Sequence, residues 1–475
     1  MEVPEPVVVG GRVSSVEPVS SPDHARRGAD LARRGSDLAR RVAPHLDTLA
    51  GLAVRAAPAW VFLWVRAVGV LVLRWQAGAY DATLSTLLSK WDGLWMLGIA
   101  VGGYDHVAPG LEDAFGHRYP ETPLAFFPGY PVAVGTLRYL TSMPTLVAGL
   151  TVSLIAGVVM AFGLARLGEL VPGGSRRVGL YLVALVAAAP MGIVWSMTYS
   201  EGLFCACAVW ALVAFLRRQW VLAGVCTALA GTVRPTAAAL LLAVGGALLL
   251  VAVRRDPSGE SGWRPKEGWR PWAGGVIAPL GLAGYLLYVS RHDVTAGVTG
   301  DAGPGGVGGE AGAGVGAGVG ASPTPGVGGG VGGPAGGWFG VQQRGWNSHF
   351  DAGAATVKFT GEVLASGRSV LEVGTVLVLA GALVLLFVSA RQALAGALPW
   401  PLVVYAAGVL VMDLGSNGLM NSKARLALPA VTLLVPVAVA LGRRRPGTAV
   451  SVLVAVTLLS AWFGGYALTG WSYAI

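Results

Sequence analysis

The chain has 475 residues, 54% hydrophobic and 12% charged, with a formal net charge of +9 and a mean hydropathy of +0.63. A soluble globular domain carries roughly a quarter charged residues, so this composition excludes a water-soluble fold of ordinary size. The basic residues stand beside apolar runs, where they serve topology and anionic lipid headgroups, and no nucleic-acid partner is expected.

Residues 1–55 form a polar, basic tail, read as cytoplasmic. The triplets Ala25-Arg26-Arg27, Ala32-Arg33-Arg34 and Ala39-Arg40-Arg41 recur every seven residues, which stacks the Arg pairs on one face of a lipid-surface helix. A cleavable signal peptide would place its apolar core earlier, so the first apolar run is expected to be retained. Apolar runs then follow at 56–75, 144–165, 178–197, 200–216, 219–233, 236–253, 272–289, 370–390, 399–415, 424–441 and 447–468. A hydrocarbon core needs roughly 20 apolar residues in helical form, because bare backbone amides are intolerable there. The expected fold is therefore an all-α polytopic integral membrane protein with roughly 11 transmembrane helices. Cys205, Cys207 and Cys226 lie inside these runs and imply no disulfide framework.

With a cytoplasmic N-terminus, the short loops hold 14 Lys and Arg on the cytoplasmic side and 3 on the other, the sense of the positive-inside rule. This orientation puts two long segments, 76–143 and 290–369, outside the cell in a plasma-membrane protein. The chain divides into the tail 1–55, a membrane core at 56–290, an extracytoplasmic loop at 291–369 and C-terminal transmembrane helices at 370–475. Within the loop, 296–337 is almost all Gly with Ala, Val, Pro and Thr, a composition that cannot bury enough apolar surface to offset chain entropy, and it reads as a disordered insertion. Its Gly314-Val315-Gly316-Ala317-Gly318 resembles a phosphate-cradling loop but has no strand before it and no helix after it.

The first external segment differs in kind, with Trp91-Asp92-Gly93-Leu94-Trp95, Gly103-Tyr104-Asp105-His106 and Phe126-Phe127-Pro128-Gly129-Tyr130-Pro131. As a helix, Trp91, Trp95 and Ile99 share a face with Leu94, predicting an interfacial helix with its indoles among the headgroups and Asp92 toward water. Asp92 either acts chemically or caps that helix's first turn. Further charges stand at external helix ends: Glu201 after Tyr199-Ser200, Arg234 before Pro235-Thr236, and Lys423 with Arg425. Charge at membrane depth is costly and marks a functional candidate, unless the side chain snorkels to water. Together these groups suit a substrate with a phosphate and a hydroxyl to be deprotonated. His106, Glu112, Asp113 and His117 match no compact metal site, and His349 with Asp351 either forms a surface turn or docks near the other charges.

Trp91-Asp92, Phe126-Phe127-Pro128 with Tyr130-Pro131, Tyr199-Ser200-Glu201 and Arg234-Pro235-Thr236 occur in an order that resembles the PIG-V-like mannosyltransferases, of the GT-C class of polytopic glycosyltransferases. The resemblance covers about 60–250, with Ser422-Lys423-Ala424-Arg425-Leu426 and Pro429 as later support. It departs at Trp95-Met96, where an aromatic often stands second, and in the long Gly insertion. It implies a GT-C-like bundle that transfers mannose from a polyprenyl-phosphate-linked donor to an extracytoplasmic acceptor hydroxyl, with inversion. Asp92 would be the catalytic base; Arg234, Lys423 and Arg425 would hold the lipid phosphate; Glu201, Trp91 and Tyr199 would line the substrate site. No cofactor is assigned, a divalent metal stays open, and the acceptor is a glycolipid, glycan or protein. The rival classes are a transporter or flippase of lipid-linked sugars and a non-catalytic envelope scaffold.

Overall fold

The computed structural model describes residues 51, 53–253, 268–299, 336–367, 369–471 and 474, and no strand occurs among them. Helix α1 (Ala57–Ala79) illustrates how the apolar runs become elements. Phe62, Val65, Leu73 and Ala77 face the protein, while Trp60, Trp64, Leu71 and Trp75 are left uncovered on the other side. Such a face is unfavourable in water and at home in hydrocarbon. Five helices are long and apolar enough to cross a membrane: α1, Thr145–Leu170, Arg270–His292, Val370–Leu394 and Pro446–Thr469. A sixth is the bent pair Met420–Leu426 with Val431–Gly442, broken by 64°.

Each of the eleven apolar runs coincides with helical structure, yet five or six spans follow where roughly eleven were expected. The difference lies in length. After α2 (Leu84–Leu88), α3 (Asp92–Gly102) and α4 (Gly129–Thr141), the long α5 (Thr145–Leu170) is followed by α6 (Arg176–Ala187), α7 (Glu201–Leu216), α8 (Trp220–Gly231) and α9 (Ala237–Val253). These last four have 17 residues or fewer, so at 1.5 Å per residue each rises about 25 Å or less against a core of about 30 Å. The run at 178–197 stops being α-helical at Ala187 and passes Pro190 into a 3-10 turn at Gly192–Ser196. Arg66 of α1, buried in the core, fills that break: its Nη1 donates to Ala187 O and Gly192 O, each at 2.6 Å, and its Nε to Ser196 Oγ at 3.2 Å. A cation is favoured at a helix C-terminus, where carbonyls lack intrahelical partners.

The second half adds α10 (Arg270–Ile277), α11 (Leu280–Thr299), α12 (Gly337–Trp346), α13 (Ala354–Ser366), α14 (Val370–Leu394), α15 (Trp400–Leu414), α16 (Lys423–Leu426), α17 (Val435–Gly442) and α18 (Pro446–Thr469). Pro58–Ile475 is one unit, so the expected core at 56–290 and the helices at 370–475 pack together. The unit Met1–Ala57 is described only at residues 51 and 53–57, and its Arg pairs lie outside the described residues.

Two sequence expectations change here. The segment 291–369, read as a loop, is helical through Thr299 and again in α12 and α13, while 300–335 of the Gly-rich tract lies outside the described residues. The indole of Trp95 is not at a lipid interface: Trp95 and Ile99 are buried, while Leu94 and Val101 are the exposed residues of α3. The reason is an aromatic layer that the sequence spreads over 250 residues. Phe126 stacks on Trp95 at 5.5 Å and meets Trp346 edge-on at 5.7 Å, while Phe127 packs on Tyr285 at 4.4 Å and Trp338 at 5.7 Å. Hydrogen bonds tie the same layer, since Phe126 O accepts from Tyr104 and Tyr285, and Ala125 O from Trp338 and Gln342.

Replacing Arg66 with Met is expected to leave the Ala187 and Gly192 carbonyls unpaired, at about 1–3 kcal/mol each. The thermal midpoint of the detergent-solubilised protein should fall by several degrees, and an unchanged midpoint would show that the guanidinium does not hold this break.

Candidate functional site

The charged end groups of four separate elements meet at one place. Asp92 opens α3, Glu201 opens α7, Arg234 follows α8, and Arg425 sits on α16, the short half of the bent pair. Arg425 Nη1 donates to Asp92 Oδ2 at 2.6 Å, and its Nε lies 3.7 Å from Glu201 Oε1. Arg234 Nη1 is 2.8 Å from Glu201 Oε1 and 3.1 Å from Ser200 Oγ. The quartet is neutral as a set, two carboxylates against two guanidiniums.

Burial divides the carboxylates. Glu201 has no exposed side-chain surface, whereas Asp92 is about a third exposed at 32%. Both Glu201 oxygens lack a hydrogen bond of good direction, so Glu201 is held by ionic proximity alone. Its position in the first turn of α7 adds favourable interaction with the backbone N–H groups there. Asp92 is therefore the carboxylate that a ligand from outside can touch, and Glu201 keeps the guanidiniums in place behind it.

The backbone around Asp92 is fixed from several sides. Trp91 has φ 54° and ψ −117°, a conformation rare for any residue with a Cβ. Strain of this sort costs on the order of 1–3 kcal/mol and persists only where neighbours over-determine it. Here Tyr199 Oη donates to Lys90 O at 3.1 Å, Thr198 N to Leu88 O at 3.0 Å, and Lys90 Nζ to Leu468 O at 2.9 Å. Burial pushes the Lys90 ammonium below its ordinary value. Gly93 lets α3 lie against Thr198, whose Oγ1 would stand 2.5 Å from an added Cβ. Gly129 does the same for the Phe126-Phe127-Pro128 turn: its N donates to Thr232 O at 2.7 Å, two residues from Arg234. Tyr130, fully buried, bonds to Gly149 O and Ser153 Oγ at 2.8 Å and so fastens α4 to α5.

The sequence candidates separate accordingly. Asp92, Glu201, Arg234 and Arg425 come together, and Tyr199 lies beneath Arg425 with its ring centre 5.1 Å from the guanidinium carbon. Trp91 adjoins the group through Asp92 and carries Lys90 over its ring at 5.2 Å. Lys423, expected among the phosphate ligands, does not join: its buried Nζ donates to Asp413 O at 2.5 Å and Ser416 O at 2.8 Å, closing the turn after α15. The alternative of Asp92 as a helix cap is not what the geometry shows, since no side chain caps α3 and the carboxylate is taken by Arg425. His349 and Asp351 dock on that same turn, through His349 N to Asn417 Oδ1 at 2.8 Å and Asp351 N to Gly415 O at 2.9 Å. Asp351 also accepts from Ala355 N and Gly353 N, and the Ala355 N–H foremost holds its carboxyl below the ordinary range.

Asp113 accepts from Phe115 N and His117 N and forms a turn, and no group of three or more His, Cys, Asp or Glu side chains converges as a metal site among the described residues. Sequence reasoning missed Ser200 as a ligand of Arg234 and Asp413 as a buried carboxylate with neither oxygen hydrogen-bonded. For Asp413 the signal was present, as a single acid within an apolar run. No protein-family model matches the chain, and neither does any curated protein or solved structure.

Truncating one partner of a buried ion pair costs on the order of 3–5 kcal/mol, while loss of an exposed one costs about 1 kcal/mol or less. Arg425→Met is therefore expected to lower the melting temperature of the solubilised protein far more than Asp92→Asn, and adding Glu201→Gln to Arg425→Met should recover part of the loss. Equal effects of the two single substitutions would contradict the buried balance described for Glu201.

Proposed function

We propose that this protein is a membrane glycosyltransferase of the GT-C type, transferring mannose or a related hexose from a polyprenyl phosphate to an acceptor hydroxyl outside the cytoplasm. The observation that carries this reading is the cluster itself: an accessible carboxylate, Asp92, beside two guanidiniums at the ends of apolar helices. A lipid phosphate brings its charge to the membrane surface, and paired arginines are suited to hold it there. The shorter helices α7, α8 and α15 are read as further, partly recessed spans, which brings the count toward eleven and sets the cluster below the headgroups.

In this mechanism the donor phosphate draws Arg425 off Asp92, while Arg234 stays paired with the buried Glu201 behind it. Asp92 is then free to accept the proton of the acceptor hydroxyl as that oxygen bonds to the anomeric carbon. The bond from that carbon to the phosphate oxygen breaks on the opposite face, so the configuration inverts and polyprenyl phosphate leaves as an anion. The leaving group needs no proton, because its charge stays paired with the guanidiniums. Glu201 orients the two arginines, and Tyr199 supports Arg425 from below. The greater number of Lys and Arg in short loops on the opposite side supports an extracytoplasmic site.

A transporter of lipid-linked sugars has one specific observation in its favour, the span broken by 64° beside Arg425, since interrupted helices recur at transport sites. The two readings part on chemistry. Membranes containing the protein, given radiolabelled polyprenyl-phosphate mannose, are expected to form a glycosylated product, and Asp92→Asn at matched expression should reduce the rate on the order of 10² to 10⁴-fold. Full transfer by Asp92→Asn removes Asp92 as base, and movement of label across the membrane without a product favours the transporter.

A further inference from the structure

The end of the bundle away from Asp92 carries an excess of positive charge. Parallel packing of α5 and α7, with Gly149 beside Thr198 and Gly163 beside Val209, puts Leu170 and Leu216 together at that end. The described acidic side chain there is Glu169, and it is already paired with Arg166 at 2.6 Å. The tertiary structure then gathers arginines that the sequence keeps far apart. Arg177, in the first turn of α6, donates through Nη2 to Arg444 O at 2.7 Å, across 267 residues. Its Nε donates to Tyr181 Oη at 2.8 Å, and the guanidinium carbon lies 5.3 Å from the Tyr181 ring centre. Arg443, Arg444 and Arg445, which link α17 to α18, are all exposed, and Arg443 lies over Gly173.

Arg177 and the exposed link 443–445 adjoin here through the Arg444 carbonyl, a concentration of positive charge that an anion would neutralise. The adjoining surface identifies the kind of anion. From one turn beyond Arg445, Val450, Val454 and Leu458 of α18 form an exposed apolar stripe at helical spacing. A phosphate against the arginines with a hydrocarbon chain along this stripe matches both halves of the surface.

We propose that Arg177 with Arg443, Arg444 and Arg445 forms a site for the phosphate of an anionic phospholipid, whose acyl chain lies on the Val450, Val454 and Leu458 face of α18. This site is independent of the glycosyltransferase reading and lies at the other end of the molecule. Free phosphate lacks the apolar part and is not the ligand.

The test is native mass spectrometry of the full chain in detergent, titrated with phosphatidylglycerol or with phosphatidylcholine of the same acyl chains. Phosphatidylglycerol should be retained at a concentration on the order of tenfold to a hundredfold lower, given the contribution of each basic residue near an anionic headgroup. Arg443→Gln with Arg444→Gln and Arg445→Gln should abolish that preference, while Arg217→Gln with Arg218→Gln, at the same end, should keep it. If the triple variant does not elute as a folded protein, Arg443→Gln alone decides, with an expected several-fold weakening. Equal retention of the two lipids, an unchanged preference in the Arg443 variants, equal loss in the Arg217 and Arg218 variant, or displacement of the lipid by millimolar glycerol phosphate would each overturn the proposal.

Discussion

A carboxylate with no exposed surface, in a chain this apolar, has to be balanced by charge from elsewhere, and Glu201 sets that requirement for the whole molecule. The balance comes from Arg234 and Arg425, so the start of α7, the end of α8 and the break between α16 and α17 must meet. Removing a charge from water costs several kcal/mol even after relaxation, and only close, opposite charge offsets it. The bent pair, broken between Leu426 and Val431, carries Arg425 on its short half, where it reaches Asp92 and Glu201.

The segment bearing Asp92 is built for a fixed position rather than for a stable local conformation. Trp91 is held at positive φ, and the residues before it, Leu88 and Lys90, are tied to Thr198, Tyr199 and Leu468. Gly93 and Gly129 allow backbone contacts there that any side chain would prevent. Strain at one residue, tight contact nearby and an aromatic layer behind them together hold a partly exposed carboxylate against the Arg425 guanidinium. Such preorganisation is what makes a polar site effective once water is excluded.

The two ends of the bundle differ in the way their charge is used. At the Asp92 end, acids and bases are paired and partly buried, and their energy goes into fixing helix ends against one another. At the Arg443 end positive charge is in excess and Arg443, Arg444 and Arg445 are exposed, the arrangement suited to a surface that is itself anionic. The apolar belt between them, with uncovered Trp64, Leu71, Leu383 and Val454, is what a hydrocarbon solvent requires.

The sequence by itself determined the solvent, the helical class and the position of the helices built on apolar runs, because such runs have no other stable form in a membrane, whereas the less apolar α12 and α13 were read as loop. It also pointed to Asp92, Glu201, Arg234 and Arg425, because a charge in apolar surroundings is costly enough to be conspicuous. Pairing was decided only by tertiary structure. Arg425 and Asp92 are 333 residues apart, and no local pattern encodes a contact of that range. The same limit explains Lys423, which has the same kind of sequence setting as Arg425. Two positions apart on a helix, their side chains diverge by about 200°, so one reaches the carboxylates and the other closes a turn on Asp413 and Ser416. Trp95 likewise looked like an interfacial indole until Phe126, itself backed by Trp346, covered its face. Burial of an aromatic ring depends on what arrives from elsewhere in the chain, and helical periodicity defines only the face on which it is presented.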